Sequence, residues 1–254
     1  MVFTRRFFCG MEREWNEMIK FENEEVMGWE AAIRGMRNPK NSWEKSDSRW
    51  YSIGIPTSNK AAINDKYLSQ KYCIGGNDLG LMKRLRNAGT DHRKFMRMIT
   101  VYLDITAPLY WWKEFDTYKV GTVANSCSTM HKIHEKEFTV NDFSHEHIEE
   151  LSGDEYNTSY DHLLRTVDIL NYYREKYIKA RGNYADAVTL KRYWWQLIQL
   201  LPSSYNQRRT VMLNYEVLAS IYKSRKDHKL DEWRDFCKWI KTLPYAELIT
   251  GKDD

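Results

Sequence analysis

Cysteine is scarce in this chain, and long apolar runs are absent. The four cysteines (Cys9, Cys73, Cys127 and Cys237) lie far apart and form no CxxC pair. This spacing gives no cysteine zinc site and argues against a disulfide framework. No apolar run approaches the roughly 20 residues that span a bilayer. The first residues turn acidic after a very short apolar stretch, which makes a poor signal peptide. We therefore expect a soluble, cytoplasmic protein with reduced thiols.

The chain also lacks a strong excess of charge of either sign. Its net charge is +4 over 254 residues, and its sequence pI is near 8.7. This mild basicity suits a phosphorylated small molecule and falls short of a nucleic-acid-binding surface. We expect no nucleic-acid partner and no membrane. Aromatic residues make up 14% and charged residues 29% of the chain, which is typical of a globular protein rather than a disordered one.

Apolar spacing and helix-ending residues predict a helix-rich chain. Proline or glycine closes several of the predicted helices, for example Gly89 and Gly182. The predicted helices are Asn23–Met36, Asn77 to about Gly89, Asp91–Ile105, Tyr160–Ala180, Leu190–Leu200, Gln207–Lys223 and His228–Lys241.

The remaining segments are predicted as loops or short strands. Residues 38–76 are polar and predict a long loop with one short strand near Trp50–Ile53. Residues 139–158 are acidic and predict a surface excursion. Leu109–Phe115 fits a strand or a buried helix, and Val120–Ser128 fits a strand or an irregular segment. No repeat or composition break marks a linker, so we expect one helix-rich domain over residues 1–254 with a modest sheet.

A spaced series of residues runs through the centre of the chain. It consists of Gly89 and His92, the Ala107-Pro108 step, and the segment Thr117–Met130. The series resembles, without a gap, the centre of the flavin-dependent thymidylate synthase family. In that family a Gly-His turn starts a helix, an Ala-Pro step follows, and then comes the signature Arg-His-Arg-x-x-Ser-x-Asn-Glu-x-Ser-x-Arg-Tyr.

The last third of the chain adds to the resemblance. Leu201-Pro202, Asn214 and Arg225 follow the order and spacing of the family's Leu-Pro, Asn and Arg. In total the resemblance covers about residues 76–130 and 185–241. It implies an α+β fold, a helix-rich single domain with a small central antiparallel or mixed sheet.

The signature itself is largely rewritten. Thr117-Tyr118-Lys119 stand where the family has Arg-His-Arg, so one basic group survives. Thr122 and Cys127 replace the two serines, Asn125 replaces the Glu, and Thr129 replaces the last Arg. A one-residue slip would instead match Asn125 and Ser128 to the signature's Asn and second Ser, so two registers stay open. Ile198 and Glu216 stand where the family has phosphate-binding arginines.

The resemblance implies methylation of dUMP or a related pyrimidine nucleotide. Methylenetetrahydrofolate supplies the methylene, reduced FAD the hydride, and NADPH is the reductant; the assembly is a homotetramer with sites between subunits. The residues carried over by position fall into three groups. The catalytic residues are Lys119, Asn125 and Cys127; the flavin-binding residues are His92, Tyr118, Thr122 and Asn214; the substrate-binding residues are Lys119, Thr129 and Arg225.

Phosphate chemistry sets a condition on this function. A dianionic phosphate needs cationic donors, and arginine supplies them best. Lys119 and Arg225 meet this need in part, but each lost charge-assisted bond costs roughly 1.5–3 kcal/mol. Unless Arg208, Arg209 or Lys191 compensates, dUMP affinity should be poor. The alternative is therefore a non-catalytic nucleotide- or protein-binding module on the same scaffold; a purely structural helical protein is a third interpretation.

Each candidate residue also has an ordinary structural interpretation. His92 could cap a helix on the surface, Lys119 could be a solvated lysine, and Arg225 could be a helix-terminal charge. For Cys127 we favour a buried, inert thiol over a nucleophile. Asn214, predicted inside a helix, favours a hydrogen-bonding role.

The other conspicuous groups receive structural interpretations. The four clustered histidines lack an accompanying carboxylate pattern, so we expect no metal site. The tryptophan pairs are interpreted as core or subunit-contact residues. These groups are His131, His134, His145 and His147, with Trp111-Trp112 and Trp194-Trp195.

Overall fold

The structure is a computed structural model that describes residues 19–53, 69–148 and 158–251. Contacts within the chain divide it into two compact units. Of the residues that the structure describes, those within 19–128 and 207–251 belong to the larger unit and those within 129–206 to the smaller one. A single domain over the whole chain stays a prediction. No helix in the described ranges is long and apolar enough to cross a bilayer.

A four-stranded sheet forms the centre of the larger unit. Its strands are β1 (Lys20–Met27), β4 (Thr100–Pro108), β5 (Val123–Ser126) and β6 (Asn206–Asn214), in the order β1-β4-β6-β5. The β1–β4 and β5–β6 pairs are antiparallel. Alternate residues of β4 are buried, from Val101 to Ala107, as expected for a strand with one face on the core. The predicted small antiparallel sheet is confirmed.

A separate two-stranded hairpin consists of β2 (Arg49–Ile53) and β3 (Ser69–Cys73). The register pairs Trp50 with Tyr72. The predicted strand near Trp50–Ile53 is therefore confirmed within the predicted loop over residues 38–76. Residues 54–68 of that loop lie outside the described ranges.

Helices cover the sheet of the larger unit. They are α1 (Trp29–Arg37), α2 (Gly76–Asn87), α3 (Leu109–Phe115), α6 (Tyr215–Arg225), α7 (Asp231–Ile240) and α8 (Glu247–Thr250), with a 3₁₀ helix at Arg93–Met98. Their core contains an aromatic cluster in which the rings of Trp111 and Trp233 lie 4.8 Å apart. Trp111 and Trp112 are both fully buried, so the interpretation of this pair as core residues is confirmed.

The smaller unit is built on two helices, α4 (Ser159–Gly182) and α5 (Ala187–Leu200). Thr158 and Asp186 cap them, each accepting a hydrogen bond from a main-chain N–H of the first turn. Both helices were predicted by their apolar spacing and are confirmed. Of the predicted excursion over residues 139–158, the structure describes residues 139–148 and Thr158. There Phe143 is 1% exposed and belongs to this unit's core.

Three predicted helices are wrong in part or in whole. The first half of Asn23–Met36 is strand β1, Asp91–Ile105 is a 3₁₀ helix followed by β4, and Gln207–Asn214 belongs to β6, with helix beginning only at Tyr215. In β4 and β6 the buried apolar residues, from Val101 to Ile105 and at Val211 and Leu213, also fit a two-residue period. In all three segments, pairing within the sheet selects the strand over helix propensity.

Candidate functional site

Four of the predicted site residues of the larger unit lie around helix α6. At its start, the Asn214 side-chain oxygen accepts hydrogen bonds from the main-chain N–H groups of Glu216 (3.1 Å) and Val217 (3.0 Å). Asn214 is thus an N-cap at the end of β6, and its predicted place inside a helix is wrong. Gly121 lies so close that a Cβ there would be 2.8 Å from Asn214 Nδ2. Its φ of +80° also favours glycine.

At the other end of α6, Arg225 is held by groups of its own chain. Its Nη1 donates to Glu114 Oε2 at 2.6 Å, and its Nε donates to the Tyr118 hydroxyl at 2.9 Å. The guanidinium also lies 4.7 Å from the ring centre of Trp233, whose Nε1 donates to the same Glu114 oxygen. The charge of Arg225 is therefore compensated within the chain.

The first turn of α6 also holds the 3₁₀ helix Arg93–Met98. Glu216 forms ion pairs with Arg93, at 3.3 Å, and with Arg97. Burial alone would raise the pKa of Glu216, but hydrogen bonds and charge from Arg97 and Arg93 lower it overall. Glu216 therefore stays a carboxylate that fixes this segment. His92 precedes Arg93 and its side chain is exposed.

The remaining predicted residues of the larger unit lie along the chain after Tyr118. Lys119 is exposed, and no carboxylate in the described part of the chain forms an ion pair with it. Thr122 donates its hydroxyl to the Tyr118 carbonyl. On β5, Asn125 is exposed and pairs with Thr210 of β6.

Cys127 is exposed. The prediction of a buried thiol is therefore wrong. Its main-chain N–H donates to the Arg208 carbonyl at 2.9 Å, and its own carbonyl accepts from Gln207 Nε2. These contacts hold the backbone on the edge of the sheet and leave the side chain in solvent.

The arginines proposed as replacement phosphate ligands have carboxylate partners. Arg208 contacts Asp104 at 2.7 Å, and Arg209 contacts Asp116 at 2.8 Å. Arg209 also lies over the ring of Trp112, 4.2 Å from its centre. The charges of both arginines are thus compensated by carboxylates of the same chain.

Four predicted residues are brought around α6, namely Tyr118, Thr122, Asn214 and Arg225. His92 is next to the Arg93–Glu216 pair. Asn125 lies on β5 and Cys127 directly after it, and Thr129 belongs to the smaller unit. Within residues 19–53, 69–148 and 158–251, no three His, Cys, Asp or Glu side chains are grouped for a metal ion.

Sequence reasoning missed three partners in this arrangement, namely Glu114, Arg93 and Arg97. Arg93 and Arg97 are four residues apart just after His92, and this spacing of like charges was a signal of a carboxylate partner. Glu114 carries no comparable signal, because its partner Arg225 is 111 residues away.

Known proteins resemble this chain in structure rather than in sequence. No protein-family model matches the chain, and no curated protein matches its sequence. Solved structures do match. Flavin-dependent thymidylate synthase ThyX from Helicobacter pylori, complexed with FAD and dUMP, superposes with a TM-score of 0.59, at 15% identity, over 91% of this chain and 98% of that one. The chain has the ThyX fold.

Two further structures agree with this result. A second H. pylori ThyX structure with FAD and dUMP gives a TM-score of 0.58 at 14% identity, again over 91% and 98% of the two chains. The UMP/dUMP methylase PolB from Streptomyces cacaoi, bound with 5-Br dUMP, gives 0.52 at 13% identity, over 92% of this chain and 95% of its own. The predicted fold is confirmed.

Around α6, some of the predicted site residues have hydrogen-bond partners and others are exposed. Tyr118 and Thr122 hydrogen-bond within the chain on either side of Lys119, and Asn214 caps α6. The side chains of His92 and Lys119 are exposed.

Proposed function

We propose that this chain binds FAD and a pyrimidine nucleotide on the ThyX fold and methylates the base of that nucleotide. The substrate is dUMP or a related pyrimidine nucleotide, with methylenetetrahydrofolate and NADPH as co-substrates. One observation carries the proposal. Structures that share this fold over at least 95% of their own length hold a uracil nucleotide or its analogue, and the H. pylori ones also hold FAD.

Some residues around α6 would contact the ligands, and others would hold those residues in position. His92 and Lys119 would hold anionic groups, and Tyr118, Thr122 and Asn214 would keep the Lys119 segment in place against α6. FAD, when bound, supplies the redox chemistry. Arg225 adds less to phosphate binding than a free arginine would, since Glu114 already compensates its charge.

Three residues on β5 or shortly after it complete the proposal. Asn125 would donate a hydrogen bond to the base, where electron density builds up during the reaction. Cys127 is a second polar group that the substrate can reach. Thr129 would hydrogen-bond the nucleotide in a homotetramer whose subunits share their sites.

The first test is the absorbance spectrum and the mass of whatever co-purifies with the protein. We expect a flavin absorbance band, and a rise in melting temperature when FAD and dUMP are added, because ligands that bind only the folded state stabilise it. A colourless protein that takes up no FAD and gains no protection from dUMP would refute the proposal.

Lys119→Ala tests the phosphate contact. Loss of one charge-assisted hydrogen bond should weaken dUMP binding about tenfold. Lys113→Ala, at another exposed lysine on α3, is the matched control and should leave dUMP affinity unchanged. Equal effects of the two variants would contradict a specific role for Lys119.

A second candidate function is a non-catalytic binding module on the same scaffold. The compensated charge of Arg225 and the carboxylate of Glu216 favour it, because both reduce the positive charge available for a phosphate. It predicts nucleotide binding without turnover. Rescue of a thymidine-requiring bacterium by this gene would exclude it.

A further inference from the structure

The larger unit contains a cavity of about 780 Å³ that none of the predicted site residues lines. It lies at the start of α1, beside the β2–β3 hairpin and the segment before α8. This volume lies within the range of small-molecule sites, which is roughly 300–1,000 Å³. Its chemistry-bearing residues are Trp29, Trp50, Tyr72, Tyr245, Arg34 and Lys71.

Two pairs of aromatic rings form walls of this cavity. Trp50 and Tyr72 are cross-strand partners in the hairpin, with ring centres 5.1 Å apart. Trp29 and Tyr245 lie 5.2 Å apart. Trp50 is 52% exposed, although a folded chain gains by burying an aromatic side chain of this size. The exposed indole ring of Trp50 suits a planar ring that stacks on it.

The charged residues of the cavity favour an anion. Arg34 and Lys71 are exposed, and no carboxylate of residues 19–53, 69–148 or 158–251 forms an ion pair with either. Glu30 also lines the cavity, but its carboxylate accepts a hydrogen bond from Trp50 Nε1 at 3.1 Å. Glu30 thereby fixes the indole ring, and the two cations leave the cavity with a net positive charge.

We propose that this cavity is a second ligand site that binds a nucleoside phosphate, with the base against the Trp50 and Tyr72 rings and the phosphate at Lys71 and Arg34. None of the residues that line this cavity is among the site residues of the methylation proposed above, and the inference does not depend on that methylation.

The test is a titration of the whole chain with AMP, followed by tryptophan fluorescence and calorimetry. Adenosine and inorganic phosphate are titrated in parallel to separate stacking from phosphate binding. We expect AMP to bind more tightly than either, and Trp50→Ala to weaken AMP binding about tenfold through the lost stacking. Lys71→Ala should weaken binding of AMP and leave that of adenosine unchanged.

Trp43→Ala is the matched control, since Trp43 is 47% exposed and lies outside the cavity. It should bind AMP as the wild type does, and circular dichroism should show all three variants folded. Failure of wild-type AMP binding, or binding that neither Trp50→Ala nor Lys71→Ala weakens, would overturn the proposal. Lys119→Ala should leave AMP binding at this cavity intact, so the two proposals can fail separately.

Discussion

Replacing Arg225 with alanine should destabilise the larger unit more than it weakens nucleotide binding. The change removes a charge-assisted hydrogen bond to Glu114 and a cation–π contact with Trp233. Such contacts contribute roughly 1.5–3 and 0.5–1 kcal/mol respectively. The Glu114 side chain is 36% exposed, so solvent screens part of the first contribution. We expect a loss of about 2 kcal/mol in the free energy of unfolding.

Urea unfolding, followed by tryptophan fluorescence, measures this loss. A double-mutant cycle with Glu114→Gln isolates the pair, and its coupling energy should be about 1–2 kcal/mol. Lys223→Ala, an exposed lysine on the same helix, is the control and should change the free energy of unfolding by less than about 0.5 kcal/mol.

The same variant separates a structural role of Arg225 from the substrate-binding role implied by resemblance. If the Glu114 contact dominates, Arg225→Ala lowers the urea midpoint and leaves dUMP affinity, measured below that midpoint, within about threefold of wild type. An unchanged midpoint together with a loss of dUMP binding would show that the reasoning from the ion pair is wrong.

Three further predictions concern Asp104 of β4, the helix cap Asn214, and two of the cysteines. Hydrogen bonds from Arg208, among others, lower the pKa of Asp104 to about 2. The Asp104 carboxylate should therefore stabilise the folded state by about 1–2 kcal/mol above pH ~4, and this stabilisation should disappear as the pH falls toward 2. Unfolding of Asp104→Asn should lack that part of the acid dependence. Asn214→Ala should cost about 1 kcal/mol in urea unfolding, whereas Asn214→Asp keeps the cap. A thiol reagent should label Cys127 in the native protein, and Cys237, whose pKa burial raises to about 11, only after unfolding; simultaneous labelling, seen by peptide mass, would contradict this.

Long helices are the part of the fold that the sequence predicts well. Residues 160–180 show only the helical period, and α4 covers them. The segment Asp91–Ile105 is different, because Phe95, Ile99 and Tyr102 fit a helix while Val101, Leu103 and Ile105 fit a strand. Pairing with β1 and β6, which lie on either side of β4 in the sheet, determines that this segment is a strand. β1 lies about 80 residues earlier in the chain and β6 about 105 residues later. Local propensity therefore cannot predict this strand pairing.

The ion pairs of the candidate site also depend on residues far apart in the chain, which the sequence does not reveal. By its resemblance in sequence, Glu216 takes the position of an arginine of the flavin-dependent thymidylate synthases, which predicts less positive charge at this place. The structure shows that it also immobilises Arg93 and Arg97, while Glu114 holds the retained Arg225. A change of sign at one position is thus matched by partners far away in the chain. In the proposed function, phosphate binding around α6 falls mainly to His92 and Lys119, so Lys119→Ala should affect dUMP affinity more than Arg225→Ala.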